Sequence, residues 1–301
     1  MKQQIGYIGL GLMGRPAALN LTKAGYSLNV YARRAMMMEP LCAVGATACH
    51  SPAEVAAVSD IIFINVSGSR DVEEVVLGHH GIITTARPGS VVVDMSTIAP
   101  AVTRTIAARL AEQQVGMVDA PVSGGPQGAA AGTLAIMVGG TTATVAQVWP
   151  LLEVMGGNIV HVGDHGAGQV AKACNQIIVA QAITAIGEAL LLAKASGVDP
   201  SKVRQALSGG FADSAVLQIH GQRMLNYLFE PGFKTKLHHK DMHIVQESAA
   251  ALGITLPGAA QATRYLDTLM AEGESELDSS AMLKVLEQVA GISLKPSNTQ
   301  G

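Results

Sequence analysis

Charge is scarce in this 301-residue chain: Asp, Glu, Lys and Arg together make up 14% of it, against 49% apolar residues. That balance excludes a disordered polypeptide and demands extensive buried surface, with a surplus that points to contacts between subunits. Basic clusters are also missing. With 20 basic and 23 acidic residues the formal charge is -3, and no basic stripe could follow a phosphate backbone. Nucleic acid is thereby excluded and small molecules are left as partners. Cysteine is limited to Cys42, Cys49 and Cys174, an odd number without CxxC spacing. A disulfide framework is not expected, and a reducing, cytoplasmic setting is. No apolar run of membrane length is uninterrupted: Ile177 to Ala193 contains Gln181, Thr184 and Glu188, and so reads as a core helix and not as a span. The opening MKQQIGYIGLGLMG has no signal-peptide pattern, and no tandem repeat or low-complexity tract is present.

What the chain does have is order in two halves. Short β-branched runs recur at QIGYIGL, SLNVYA, IIFINV, VVVDMS, MVDAPV, LAIMVGG and NIVHVG. Helical patterns lie between most of them, such as the one from about Met13 to Ala24 and PAEVAAVS, which Ser51 is placed to N-cap. Runs that are apolar on both faces and alternate with helices predict a mainly parallel, doubly wound sheet of the Rossmann type. After Gly163 the strand signals stop. PSKVRQALSGG, SAVLQIHGQRMLNYL, HKDMHIVQESAAALG and SSAMLKVLEQVAG all have helical periodicity. The expectation is an α/β dinucleotide-binding domain over 1–164 and an all-helical domain for substrate and oligomer contacts over 165–301. A long helix beginning near Gly166 joins them, and the tail SLKPSNTQG is expected to fray.

Gly9, Gly11 and Gly14 stand in GxGxxG spacing where the first strand gives way to the first helix. There glycine lets the backbone turn tightly and approach a pyrophosphate, which sits on helix N–H groups. The loop residues Leu10, Leu12 and Met13 belong to the same cofactor cradle. After the second strand, where an acid would read a ribose 2′-hydroxyl, the chain has Ala32 followed by Arg33 and Arg34. That pattern favours the 2′-phosphate of NADP, with NAD as the alternative. VVVDMSTIAP ends a strand in Ser96 and Thr97 at the carboxyl edge where such sheets bind ligands. DAPVSGGPQG exposes Ser123 and the amides of Gly124 and Gly125, a nest suited to a carboxylate. Lys172, Asn175 and Gln176 share one face of an otherwise apolar helix, and a lysine there is costly unless it has a task. In HHKDMH, Lys240 is a candidate substrate or cofactor contact. No metal is expected, because His238 and His239 point apart and no carboxylate shares their face at i+4.

GYIGLGLMGRPAALNLTKAG, DMSTIAP, DAPVSGGPQGAAAGTLAIMVGG, GAGQVAKACNQ and GFKTKLHHKDM occur in this order and together resemble the β-hydroxyacid dehydrogenase family nearly end to end. The resemblance implies a site in a cleft between the two domains and Lys172 as the catalytic residue. It implies hydride transfer between NAD(P)H and a small β-aldehyde or β-hydroxy carboxylic acid, with tartronate semialdehyde reduced to glycerate. Lys172 as ammonium would stabilise the carbonyl oxygen and protonate it. Asn175 would hold the substrate or the amine, while Ser123, Gly124 and Gly125 grip the carboxylate. Two positions depart from the family: Val66-Ser67 replaces the usual Leu-Pro beside the nicotinamide, and Ala32-Arg33 keeps only the arginine half of the usual pair. 3-Hydroxyisobutyrate is the alternative substrate. A non-catalytic dinucleotide-binding scaffold or sensor is the alternative of another class, but it would have no need of Lys172.

Overall fold

A computed structural model describes residues 3–295; the end of the tail expected to fray lies outside them. The chain divides into two compact units, residues 1–172 and 173–301.

The first unit is built on nine strands: β1 (Ile5–Ile8), β2 (Leu28–Tyr31), β3 (Thr47–Ala48), β4 (Ile61–Ile64), β5 (Val91–Asp94), β6 (Gly116–Asp119), β7 (Val122–Ser123), β8 (Leu134–Gly139) and β9 (Gly156–Gly163). Seven helices alternate with them: α1 (Gly14–Lys23), α2 (Glu39–Cys42), α3 (Pro52–Ala57), α4 (Ser69–Leu77), α5 (Pro100–Ala111), α6 (Gly125–Ala131) and α7 (Thr142–Glu153). The sheet runs β3-β2-β1-β4-β5-β6-β8-β7, with β9 on β8. From β3 to β6 every pairing is parallel; β8 is antiparallel to β6 and β7. The order reverses at β1, so β1 and β4 flank the switch point at which open sheets of this kind take ligands.

The continuous apolar strands follow from two covered faces. On β4, Ile61 and Phe63 enter one core with Tyr7, Leu21, Val93 and Val118. Ile62 and Ile64 enter the other with Ile8, Val55, Val92 and Met117. The period-two alternation of side chains thus sends neighbours to opposite cores, and neither face is left for polar residues. Ser51 caps α3 as expected, its hydroxyl accepting from Glu54 N at 3.1 Å. The two-residue strand β3 was not among the expected strands.

The helical unit contains most of α8 (Ala167–Ala195), then α9 (Pro200–Leu207), α10 (Gln222–Asn226), α11 (Thr235–Ala251), α12 (Pro257–Ala271) and α13 (Met282–Ala290). Sequence reading did not single out α12. Helix α8 is long and apolar enough to cross a membrane by length and composition. Its Ala180, Ile183, Ile186 and Leu190, however, are core residues, packed with Met242, Leu266 and Leu283. The helix expected over SAVLQIHGQRMLNYL begins with a π-helical turn, Leu217–Gly221.

Asp278 organises the loops of this unit. Fully buried, it accepts from the backbone N–H groups of Gly232, Phe233 and Ser280. His220 Nδ1 and Arg223 Nη1 lie 3.3 and 3.1 Å from its oxygens. Burial alone would raise its pKa, but hydrogen bonds from His220, Phe233 and Ser280 outweigh burial and hold the carboxyl far below its ordinary value. A depressed carboxylate stabilises the fold fully above its unfolded-state pKa of about 3.9, and that stability is lost as pH falls through the native value. Asp278→Asn should therefore cost on the order of 3 kcal/mol at neutral pH. In denaturant titrations the difference between the native chain and the variant should shrink steadily below about pH 4.

Candidate functional site

The cofactor candidates follow β1. Gly9 has φ +92°, and a Cβ there would lie 2.2 Å from Asn65 O, at the end of β4. At Gly14 a Cβ would lie 2.0 Å from Gly9 O, so α1 can start against the loop only with glycine. Gly11 is different: a Cβ there meets nothing within 4 Å. No protein neighbour requires glycine at Gly11, and the open space beside it is what a pyrophosphate needs in order to reach the backbone. Leu10 is buried and Leu12 exposed. Met13 stands at the N-cap of α1 without a side-chain cap, and no acid occupies the first turn. Amides there are left for an anion. These residues fit a dinucleotide.

Arg33 and Arg34 lie just past β2 and are exposed. Arg33 Nη1 is 3.2 Å from Asp71 Oδ1 on α4, with the arginine side chain 78% accessible. A carboxylate that sequence reading did not consider thus stands beside the arginine assigned to a phosphate. Val66 N donates to Ser96 Oγ at 2.9 Å, which ties the loop after β4 to the end of β5. Thr97 is half-buried next to it. Ser123 ends β7, Gly124 stands at the N-cap of α6 and Gly125 opens that helix, with both glycines at positive φ.

Lys172 is only 7% exposed, and the turn that precedes it is braced against the ends of β5 and β6. Asp119, at the end of β6, accepts from Gly166 N at 2.8 Å and from Gln169 N at 3.0 Å. Gln169, itself 1% exposed, donates through Nε2 to Ser96 O at 2.8 Å and accepts through Oε1 from Ile98 N at 3.1 Å. Glycine lets this turn lie flush on the sheet: a Cβ at Gly168 would come within 2.4 Å of Met137 O. Burial raises the pKa of Asp119, opposed by the hydrogen bonds from Gly166 and Gln169. Lys172 follows Gln169 by three residues, one helical turn, so it is fixed with respect to the carboxyl ends of β5 and β6.

In the helical unit the remaining candidates form a chain. Asn175 Nδ2 donates to Gln176 Oε1 at 2.8 Å, and Gln176 Nε2 donates to Asp241 Oδ2 at 2.6 Å. Asp241 Oδ1 pairs with Lys240 Nζ at 2.9 Å. Lys240 is therefore ion-paired with its sequence neighbour. Asp119, Gln169 and Asp241 were not assigned roles from sequence, and Ser96 was placed only at the ligand-binding edge of the sheet. The sequence signal was that these polar residues fall within the quoted motifs: Ser96 in DMSTIAP, Asp119 in DAPVSGGPQG, Gln169 in GAGQVAKACNQ and Asp241 in HHKDM. The sequence-based argument against a metal weighed only the helix that bears His238 and His239. In the structure His239 is joined by His243, one turn on, and by Asp267 from α12.

Two family models match the chain. One, the NAD binding domain of 6-phosphogluconate dehydrogenase, covers residues 4–163. The other, the NAD-binding domain of NADP-dependent 3-hydroxyisobutyrate dehydrogenase, covers residues 166–286. The chain is 46% identical to 2-hydroxy-3-oxopropionate reductase of Escherichia coli, over 95% of its own length and 98% of the relative's. It is 36% identical to an NAD-dependent L-serine dehydrogenase of Pseudomonas aeruginosa, over 96% of this chain and 99% of that one. Among solved structures, a Mycobacterium tuberculosis 3-hydroxyisobutyrate dehydrogenase with L-serine superposes with a TM-score of 0.87 at 32% identity. That match covers 95% of this chain and 99% of the other.

Proposed function

We infer the reaction from one premise: this chain belongs to the β-hydroxyacid dehydrogenase family of NAD(P)-dependent oxidoreductases. Within that class we assign it the reduction of tartronate semialdehyde to glycerate, carried by the extent and level of its likeness to the Escherichia coli reductase. Residues 1–164 bind the dinucleotide and residues 165–301 serve substrate and oligomer contacts. A nicotinamide held by the loop after β1 would supply or accept hydride at the carbon that carries the oxygen.

Lys172 is the proton donor in reduction. A near-buried ammonium stabilises negative charge on the carbonyl oxygen more strongly than one in water, and it then hands over a proton. Asn175, one turn further along α8, orients the substrate or the amine. Ser123 and the amides of Gly124 and Gly125 accept the carboxylate, and Lys240 is the remaining contact. Asp119 and Gln169 hold Lys172 in register without touching the substrate. The likeness to 3-hydroxyisobutyrate dehydrogenases makes the methyl-branched acid the competing substrate. A higher kcat/KM for 3-hydroxyisobutyrate than for glycerate or tartronate semialdehyde would replace this assignment.

The helical unit presents large apolar side chains to solvent, including Ile178 and Leu192 at 68% and Val289 at 73% exposure. Leu191, Leu192, Tyr265, Leu286 and Val289 line a groove of about 260 Å³. A dimer or tetramer covers such a surface, and light scattering at micromolar concentration should show one; a monomer would remove this assignment. The assembly is expected to be a soluble, cytoplasmic enzyme.

Lys172→Ala should lower turnover by about 10² to 10⁴ with little change in cofactor affinity, as loss of a positioned acid does. Gln169→Leu keeps the amine but unpairs Ser96 O and Ile98 N–H. It should lower kcat by roughly 10- to 10²-fold, and near-normal turnover in either variant would remove the role given to that residue.

NADPH is the preferred cofactor in this reading, because Arg33 and Arg34 offer charge-assisted bonds to a 2′-phosphate. The phosphate must compete with Asp71 for Arg33, but so exposed a pair is worth at most about 1 kcal/mol. Arg33→Ala should raise the KM for NADPH far more than that for NADH. Asp71→Asn should sharpen the preference for NADPH, and equal changes for both cofactors would show that Arg33 plays no part in the choice.

A further inference from the structure

We propose that His239, His243 and Asp267 form a binding site for one divalent transition-metal ion of the zinc class. Helix α11 carries the two histidines at i and i+4, the spacing by which a single helix offers two imidazoles to one ion. Helix α12 supplies the carboxylate. Each histidine Nε2 lies 2.9 Å from the same oxygen, Asp267 Oδ1, and the three donor atoms all lie within 4.8 Å of one another. The two rings are 4.3 Å apart between centroids and inclined by 50°, so their nitrogens converge.

Without an ion, each 2.9 Å contact needs a proton on Nε2. Moving that proton to Nδ1 in the neutral ring turns both nitrogens into lone-pair donors aimed at one point beside a carboxylate oxygen. Ligand atoms around a tetrahedral ion with bonds of about 2.1 Å stand about 3.4 Å apart. The two 2.9 Å nitrogen–oxygen contacts therefore lengthen by roughly half an ångström when an ion is seated between them. Two neutral imidazoles and one carboxylate select zinc-like ions over magnesium or calcium, which need sets of oxygen ligands.

The side chains are 26%, 44% and 46% accessible for His239, His243 and Asp267. An ion can enter from solvent, and water can take the fourth position. Glu247 is exposed four residues after His243, on the same helical face by spacing, and it adds negative charge to the approach. Bound metal would pin α11 to α12 and so brace the helix that carries Lys240 and Asp241.

The test uses the full chain, stripped with a chelator and titrated with zinc by calorimetry, with magnesium in parallel. Cobalt, read by its visible absorption, reports the ligand geometry. One zinc per chain should bind, magnesium should not compete, and thermal unfolding should shift upward with zinc. His239→Ala, His243→Ala and the isosteric Asp267→Asn, each checked for folding by circular dichroism, should weaken binding at least about tenfold. Replacing Cys42 and Cys174 together by serine should leave binding unchanged. Failure of the native chain to bind zinc stoichiometrically would mean that the three residues are only a hydrogen-bonded cluster. Binding that survives all three substitutions, or that disappears with the cysteines, would place the metal elsewhere; either result overturns the proposal.

Discussion

The buried carboxylate of Asp119 is the constraint on which the candidate site depends. At the end of β6 it accepts from the N–H of Gly166, just before α8, and from that of Gln169, in its first turn, groups that a helix cannot satisfy internally. In doing so it fixes where that helix starts. Gln169 continues the grip sideways, bridging to Ser96 O and Ile98 N beyond β5. A buried acid in water-excluding surroundings is expensive, and burial does raise its pKa. The fold bears that cost because the alternative leaves several buried backbone groups unpaired. Lys172 inherits its position from this arrangement, one turn beyond Gln169.

The sheet contributes the second half of the geometry. A parallel sheet whose order reverses at β1 leads β1 and β4 into helices that pack on opposite faces, and glycine is then needed at points set by the surrounding backbone. Gly9 and Gly14 are small because Asn65 O and Gly9 O leave no room for a methyl group. Gly11 is small although nothing in the protein crowds it. Steric necessity at two positions and apparent surplus at the third is the signature of a loop shaped around a ligand.

Polar residues in the helical unit show the same economy. With charged residues so few, the buried ones work in groups: Asp278 gathers loop amides with His220 and Arg223, and Asp241 joins Gln176 to Lys240. Each group sets a buried carboxylate against a basic partner, which is the condition under which buried charge is tolerated. Asp267 does likewise at a more exposed position, between His239 and His243.

By itself the sequence determined whatever depends on local periodicity and local chemistry. Short, continuously apolar runs alternating with helices specify the doubly wound sheet, and the end of those runs after Gly163 marks the change to helices. The position of GxGxxG between a strand and a helix, the Ser51 cap and the unusual placing of Lys172 could all be read along the chain. Only the tertiary structure decided the pairings between distant residues. Asp119 meets Gly166 and Gln169, 47 and 50 positions later; Gln169 meets Ser96 from 73 positions away; Asp71 on α4 reaches Arg33 in the loop after β2. The carboxylate that joins His239 and His243 comes from α12, 24 residues beyond the second histidine, so a search along one helix face could not find it. β3 escaped for a different reason, since two residues are too few to display a period. Local order is written in spacing along the chain, whereas these contacts exist only once the backbone has brought separate elements together.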